Sequence, residues 1–294
     1  MRRRLIHTLV TIALTVLASG FLTAFLVRRA PGSGVDEREF DARFSQESLR
    51  RIREETQRDR LGFWAYCRQY LVRAARGDLG LSSGFQRPVA SLIAERLPET
   101  AWSAGAGLAG GWTCGMLVAL AAVLLRRRSF NLFTGAVAVS LLSLPSSVLA
   151  LGLVLAGASQ TRSAPAGVIA LVIAPRVFGY ARAILGRVRS APYVFMARAR
   201  GVGPWRLVWA HVVRPAAPAL LALLGVSVSV AFAAAIPAEV ICDSPGIGQL
   251  AWQAALKRDL PLLIDLTLLV SLLAGISGLA GEIGRYNTAA EAQS

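Results

Sequence analysis

YVFMARARGVGPWRLVWAHVVRPAAP, residues 193–218, holds four arginines and no acid, and it lies between two long apolar runs. Pro192 to Arg200 reads as one short helix, with Gly201 as the left-handed residue that ends it. Gly203 loosens the chain, and Pro204 suits the first position of a second helix running towards Val213. Pro215 and Pro218 are then expected to break that helix. Phe195, Met196, Trp205 and Trp209 supply apolar anchors beside Arg198, Arg200, Arg206 and Arg214. Aromatic and arginine anchors on a helical hairpin suit a surface gripped by another protein. A basic amphipathic hairpin lying on the inner leaflet fits the same composition.

The flanking runs set the fold class. The 294-residue chain is 54% hydrophobic with a mean hydropathy of +0.52, too apolar for a single soluble domain. A span needs about 20 apolar residues, and six segments qualify: Leu5–Val27, Ala101–Leu125, Phe130–Ala156, Ala166–Ile184, Ala219–Ile241 and Leu262–Ile283. Pro175 and Arg176 interrupt the fourth. The first follows Arg2, Arg3 and Arg4, as a signal peptide would. It outruns the usual h-region of about 7–15 residues, however, and reads as a retained helix closed by Arg28 and Arg29. The expected architecture is all-α: a polytopic membrane protein with six transmembrane helices, forming a single transmembrane domain over residues 1–294. A large outer loop (28–98) follows the first helix. An inside loop (186–218) joins helices four and five, and an outer loop (242–261) joins the last two.

The net charge of +15 fits this topology better than nucleic-acid binding. With a cytoplasmic N-terminus, the inside segments hold 15 Lys and Arg, eight of them from Arg176 to Arg214. The two short outside loops hold 3: Arg162, Lys257 and Arg258. The positive-inside rule therefore puts both termini in the cytoplasm, with the remaining basic excess suited to anionic lipid head groups. The long loop carries 14 arginines nearly balanced by 11 acids. Its charged first half holds Phe40, Phe44, Leu49 and Ile52, and its second half is aromatic before the turn at Arg76 to Gly80. It is too short for a large core and reads as a cap on the helices. Cys67, Cys114 and Cys242 have no metal-ligand spacing; a Cys67–Cys242 bridge on the outside is open but unsupported. His7 and His211 cannot make a metal site alone.

Four stretches together resemble the permease subunits of binding-protein-dependent ATP-binding-cassette (ABC) importers, in the dipeptide/oligopeptide/nickel branch. ARARGVGPWRLVWAHVVRPAAP (197–218) is similar to the coupling loop of that branch, which reads "ARAKG…L…H..R.A..P". Ala30-Pro31-Gly32 resembles its "L-P-G-D-P". RGDLGLSSGFQRPVASLIAERLPET (76–100) resembles the end of its outer loop. AEVICDSPGIGQLAWQAALKRDLP (238–261) resembles its "E..F..PG.G.L…A…RD.P". The four matches are co-linear and run along most of the chain. Cys242 stands where the branch has Phe and Pro215 where it has Asn. The link from Ser159 to Pro165 is short, and GEIGRYNTAAEAQS (281–294) lacks the closing "DPR".

The resemblance implies that the inside loop docks on an ATPase through Phe195, Ala197, Arg198, Ala199, Gly201, Arg206, Leu207, His211 and Arg214. For His211, a helix cap or a lipid-surface position stays open. It also implies an external gate or binding-protein docking surface at Glu239, Pro245, Gly246, Gly248, Arg258 and Asp259. A plain surface loop is the alternative there, with Arg258 and Asp259 simply paired. Asp265, an acid one turn inside the last span, is a translocation-path candidate or a snorkelling residue. The implied partners are a second homologous permease, two ATPase subunits, an extracytoplasmic solute-binding protein and membrane lipid.

The sequence also limits the chemistry. Lys257 is the only lysine, so the chain has no G-x-x-x-x-G-K-[ST] phosphate loop. The chain is expected to bind no cofactor, with ATP and Mg on separate subunits, and it is no enzyme: no nucleophile–base pair appears at membrane depth. The resulting expectation is a permease importing a small solute, di- or oligopeptides foremost, across the inner membrane. An ion-coupled secondary transporter is the alternative class, with Asp265, Glu239 and Glu282 its only intramembrane or edge acids. Nickel or another solute is the alternative cargo.

Overall fold

Pro145 divides the third apolar run. In the computed structural model, which describes residues 2–29, 73, 78–125, 127–158 and 162–291, that run forms two helices meeting at about 100° rather than one straight span. Proline lacks the N–H that a continuous helix needs and its ring crowds the preceding turn. The chain is extended through Leu144 and Pro145, and a new helix starts at Ser146.

The described elements are α1 (Arg2–Arg29), α2 (Val89–Leu125), α3 (Arg128–Ser143), α4 (Ser146–Leu153), α5 (Ala164–Arg189), α6 (Pro192–Ala199), α7 (Pro204–Val208), α8 (Arg214–Ile241), α9 (Ile247–Leu256) and α10 (Leu260–Glu291). A π-helical turn follows α4 at Val154–Ala158, and another joins α7 to α8 at Trp209–Val213. The only β pairing among the described residues is the isolated bridge between Leu81 and Pro88. The all-helical class is therefore as expected. Three helices are long and apolar enough to cross a membrane (α2, α5, and the run Pro204–Ile241), or four if α3 and α4 form one bent span. Val10–Leu26 and Leu260–Ile276 are shorter apolar stretches.

The chain divides into two compact units. In the unit of Arg96–Gln249 with Leu273–Ser294, α5 is the central helix and packs against α3, α4 and α8. Its buried residues Val168, Ile169, Val172, Ile173, Val177, Ala181 and Leu185 recur every three to four positions, the stripe of a helix facing a core. The helix runs unbroken through Pro175 and Arg176, as its place among the expected spans requires. Spanning helices hold a proline when their neighbours support the freed backbone, and Pro175 is buried in that packing.

Segment 103–115 explains how α2 approaches α5. A Cβ on Gly107 would stand 2.6 Å from Ile169 Cβ, one on Gly111 2.7 Å from Ile173 Cβ, and one on Gly115 2.5 Å from the Ala174 carbonyl. Glycines four apart form one stripe on a helix. They let two backbones meet where lipid offers no hydrophobic drive.

The other unit joins Met1–Glu95 with Leu250–Leu272. Here α1 lies along the first half of α10. Gly20 leaves room for Leu268, Ser19 Oγ and Ser271 Oγ lie 2.8 Å apart, and Ala24 and Ile264 form a small buried cluster. Helix α2 begins at Val89 and carries Pro98 inside it, so helix already occupies the end of the expected 28–98 loop. Ala30 to Gly32, the charged segment 36–60, Cys67 and Ser159 lie outside the described residues.

Candidate functional site

The 193–218 stretch folds as a hairpin, and its turn obeys the glycine rule. Gly201 has φ of +75°. Its N–H donates to the Arg198 carbonyl at 3.0 Å and the Val202 N–H to the Ala197 carbonyl at 3.2 Å, the paired bonds of a Schellman motif. Gly203 then caps α7, with Pro204 in its first turn. Contrary to expectation, Pro215 and Pro218 do not break the second helix; α7, the π turn and α8 run on as one rod from Pro204 to Ile241. A proline clashes with the carbonyl four residues back. For Pro215 that carbonyl belongs to His211, within the widened π turn, where the usual bonding register is already interrupted.

The hairpin keeps two kinds of surface. Val194 and Val212 are buried and tie it to the α5 core, and Ala197 is buried as well. Phe195, Trp205 and Trp209 are 74%, 77% and 63% exposed, with Met196, Arg198, Ala199, Arg206 and Arg214 exposed around them. Among the expected docking residues, Ala197 is buried and Leu207 half-buried. His211 is half-buried too, and its Nδ1 meets no hydrogen-bond partner among the described residues. A cleft of about 540 Å³ separates the hairpin from the helices behind it, lined by Asn131, Arg182, Arg189, Arg198 and Leu207 among others. Arg189 closes part of it by donating to the Val123 carbonyl. Partial burial holds the Tyr193 hydroxyl above its ordinary pKa.

The expected outer group falls into two arrangements. In the first, Glu239 is fully buried at the end of α8. Its Oε2 accepts the Gly248 N–H at 2.7 Å and its Oε1 accepts the Ser103 hydroxyl at 3.3 Å. Gly246 and Gly248 wrap it so closely that a Cβ on Gly246 would overlap the carboxylate, and one on Gly248 would stand 2.6 Å from Ile236 Cα. The Thr100 hydroxyl accepts the Ile247 N–H at 2.7 Å. The spacing of Glu239, Pro245, Gly246 and Gly248 is thus a buried carboxylate and the turn that folds over it.

In the second arrangement Asp259 is fully buried. It accepts the Ser82 hydroxyl, the Gly84 N–H at 2.9 Å and the Ser83 N–H at 3.3 Å. It also caps α10 through the Leu262 N–H at 3.3 Å. It therefore ties the Ser82–Gly84 loop to the start of α10, whereas Arg258 is exposed with φ of +52°. Lys257 places Nζ 3.6 Å from the Phe85 ring centroid. Asp265 is buried on α10, 4% exposed. The supporting residues Ser82, Thr100 and Ser103 had no sequence signal beyond their polarity inside apolar or glycine-rich stretches.

Residues 111–283, which include the hairpin and the Glu239 turn, match the model of the family described as binding-protein-dependent transport system inner membrane component. The chain belongs to that family. Its relatives include the glutathione transport system permease protein of Escherichia coli (strain K12), 28% identical over 216 residues that cover 68% of this chain and 69% of the relative. The protein of the same description from Shigella flexneri serotype 5b is 27% identical over 214 residues, with the same coverage. This inner membrane component is a multi-pass ABC permease subunit. It is not itself catalytic and holds no cofactor, ATP being used on the partner ATPase.

Proposed function

We propose that the chain forms one half of the solute path of an ABC importer, with six spans and both termini in the cytoplasm. The path would be completed by a second homologous permease, driven by two ATPase subunits and supplied by an extracytoplasmic binding protein. The observation that carries this reading is the hairpin. Its Gly201 turn is closed by two backbone hydrogen bonds and its core side is seated by Val194 and Val212, yet it leaves Phe195, Trp205 and Trp209 exposed beside Arg198 and Arg206. Large aromatics left uncovered on a rigid element are the anchors of an interface. An ATPase that grips this hairpin better in one permease state shifts the population towards that state.

A peptide-like solute is the cargo this reading favours, because the family relatives carry glutathione in their description. On this reading the turn over Glu239 and the loop held by Asp259 each belong to the extracytoplasmic side, as gate or binding-protein docking surface. Co-purification tests the docking step. The ATPase subunit is expected to remain with the wild-type chain and to be lost with Gly201→Asp. Retention of the ATPase by a Phe195→Ala/Trp205→Ala double variant would sink the assignment of the hairpin as its dock.

A further inference from the structure

Arg176 lies at the middle of α5 (Ala164–Arg189), roughly 18 Å from either end at the helical rise of 1.5 Å per residue. The charge count along the chain places it with the inside loop. It lies instead at the middle of a helix long and apolar enough to cross a membrane, and removing it from the count leaves the sign of the charge asymmetry unchanged. A guanidinium at that depth is expensive in lipid and marks a solute or ion pathway unless protein or water receives it.

The surroundings supply space for that water. Arg176 opens on a cavity of about 380 Å³ lined by Ser143, Pro145, Ser146, Val172 and Ala233 among others. Its position coincides with the α3–α4 break, and irregular backbone at membrane depth is tolerated where it is buried in protein or lines an aqueous cavity. The small side chains of Ala233 and Ala234 on α8 leave the room. Arg176 Nη1 donates to the Val172 carbonyl at 2.9 Å, which holds the head group against its own helix. Among the described residues, no acidic side chain lines the cavity. A guanidinium presents five donors in a planar fork that matches a carboxylate.

We propose that this cavity is an anion subsite of the solute path, in which Arg176 takes a carboxylate of the cargo. The proposal rests on the reading that the chain lines that path, and it narrows the cargo to solutes with a free carboxylate. Ala233, Ser143 and Ser146 complete the subsite without charge, so the selectivity resides in one residue.

Charge-selective labelling tests the subsite apart from the cargo. In the assembled complex in proteoliposomes, with Cys67, Cys114 and Cys242 replaced by Ala, Ala233→Cys is labelled with a sulfonate-bearing or a trimethylammonium-bearing methanethiosulfonate. The ratio of anionic to cationic rates is expected to fall about tenfold in Arg176→Gln, since a unit charge a few ångströms away is worth a kcal/mol or more at intermediate dielectric. Arg176→Lys is expected to keep it. If Arg176→Gln does not assemble, the wild-type ratio is read from about 0.01 to 1 M salt, where the screening length falls from about 30 to about 3 Å. It should decline several-fold. A ratio indifferent to the Gln variant, or flat with salt, overturns the subsite.

Uptake of trialanine and trialanine amide tests the cargo, with each rate normalised to its measured affinity for the binding protein. Wild type is expected to favour the free acid, and Arg176→Gln to lose that preference while keeping binding-protein-stimulated ATPase activity. Equal preference in both proteins overturns the role of Arg176 in recognising cargo. Charge-selective labelling without transport of either peptide removes the peptide reading and leaves the anion subsite standing.

Discussion

The Glu239 carboxylate occupies the space that a side chain on Gly246 would need. The two residues are therefore one unit, and they should fail together. Gly246→Ala forces a methyl group into a fully buried carboxylate, and overpacking of this kind costs about 1–3 kcal/mol. Glu239→Ala empties the same space and leaves the Gly248 N–H without its acceptor. In the double variant the new methyl has room, so its loss of stability should be smaller than the sum of the single losses by about 1 kcal/mol, as for contacting residues in general. Thermal unfolding of the purified protein in detergent gives the cycle; strict additivity would show that the two residues are independent.

Hydropathy located the helices well because it follows from the solvent, and the bilayer permits few backbones. It could not locate the break at Pro145, because proline is tolerated in some spans and breaks others according to what packs beside it. Pro175 and Pro218 lie within continuous helices while Pro145 ends one. Gly201 was legible because a left-handed residue between two short helices has few other uses. The roles of Glu239 and Asp259 were not. A sequence pattern shows that a carboxylate and glycines recur at a spacing, but not whether the carboxylate faces solvent or is enclosed by those glycines. Arg176 was misplaced for a related reason, since an arginine next to a proline reads as the end of an apolar run.

At the hairpin, fold and docking separate cleanly. Nothing lies within 4 Å of a Cβ on Gly201, but its φ is +75°, and a left-handed conformation costs an ordinary residue about 1–2 kcal/mol. Gly201→Ala should lower stability by about that amount, with Gly201→Asn closer to wild type because Asn tolerates this region. Phe195→Ala and Trp205→Ala remove side chains that are mostly exposed, and surface truncations of that kind usually stay within about 0.5 kcal/mol. They should leave the unfolding temperature unchanged while reducing ATPase retention. A parallel fall in both quantities would assign these aromatics to the fold.

The glycine stripe of α2 makes a positional prediction. Gly111→Val and Gly115→Val place side chains against Ile173 and the Ala174 carbonyl and should reduce the folded yield in membranes several-fold. Gly105→Val, with nothing within 4 Å of its Cβ, should be tolerated. Fluorescence-detected size-exclusion of the three variants separates close packing from a general intolerance of β-branched residues on α2, which would lower all three.

Asp259 joins the loop at Ser82–Gly84 to the start of α10. Asp259→Ala removes the acceptor of the Ser82 hydroxyl and of the Gly84 and Leu262 N–H groups. A buried donor stripped of its partner costs about 1–3 kcal/mol, and loss of a helix cap adds about 1 kcal/mol. Asp259→Asn keeps an acceptor for some of these donors and should fall between Ala and wild type. The loop around Phe85 should then open, losing the contact of the Lys257 ammonium with that ring. Trypsin provides the measurement, because Lys257 and Arg258 are exposed beside the anchor. Cleavage there should accelerate in Asp259→Ala and to a lesser degree in Ser82→Ala. Equal cleavage rates in wild type and Asp259→Ala would mean that other contacts hold the loop closed.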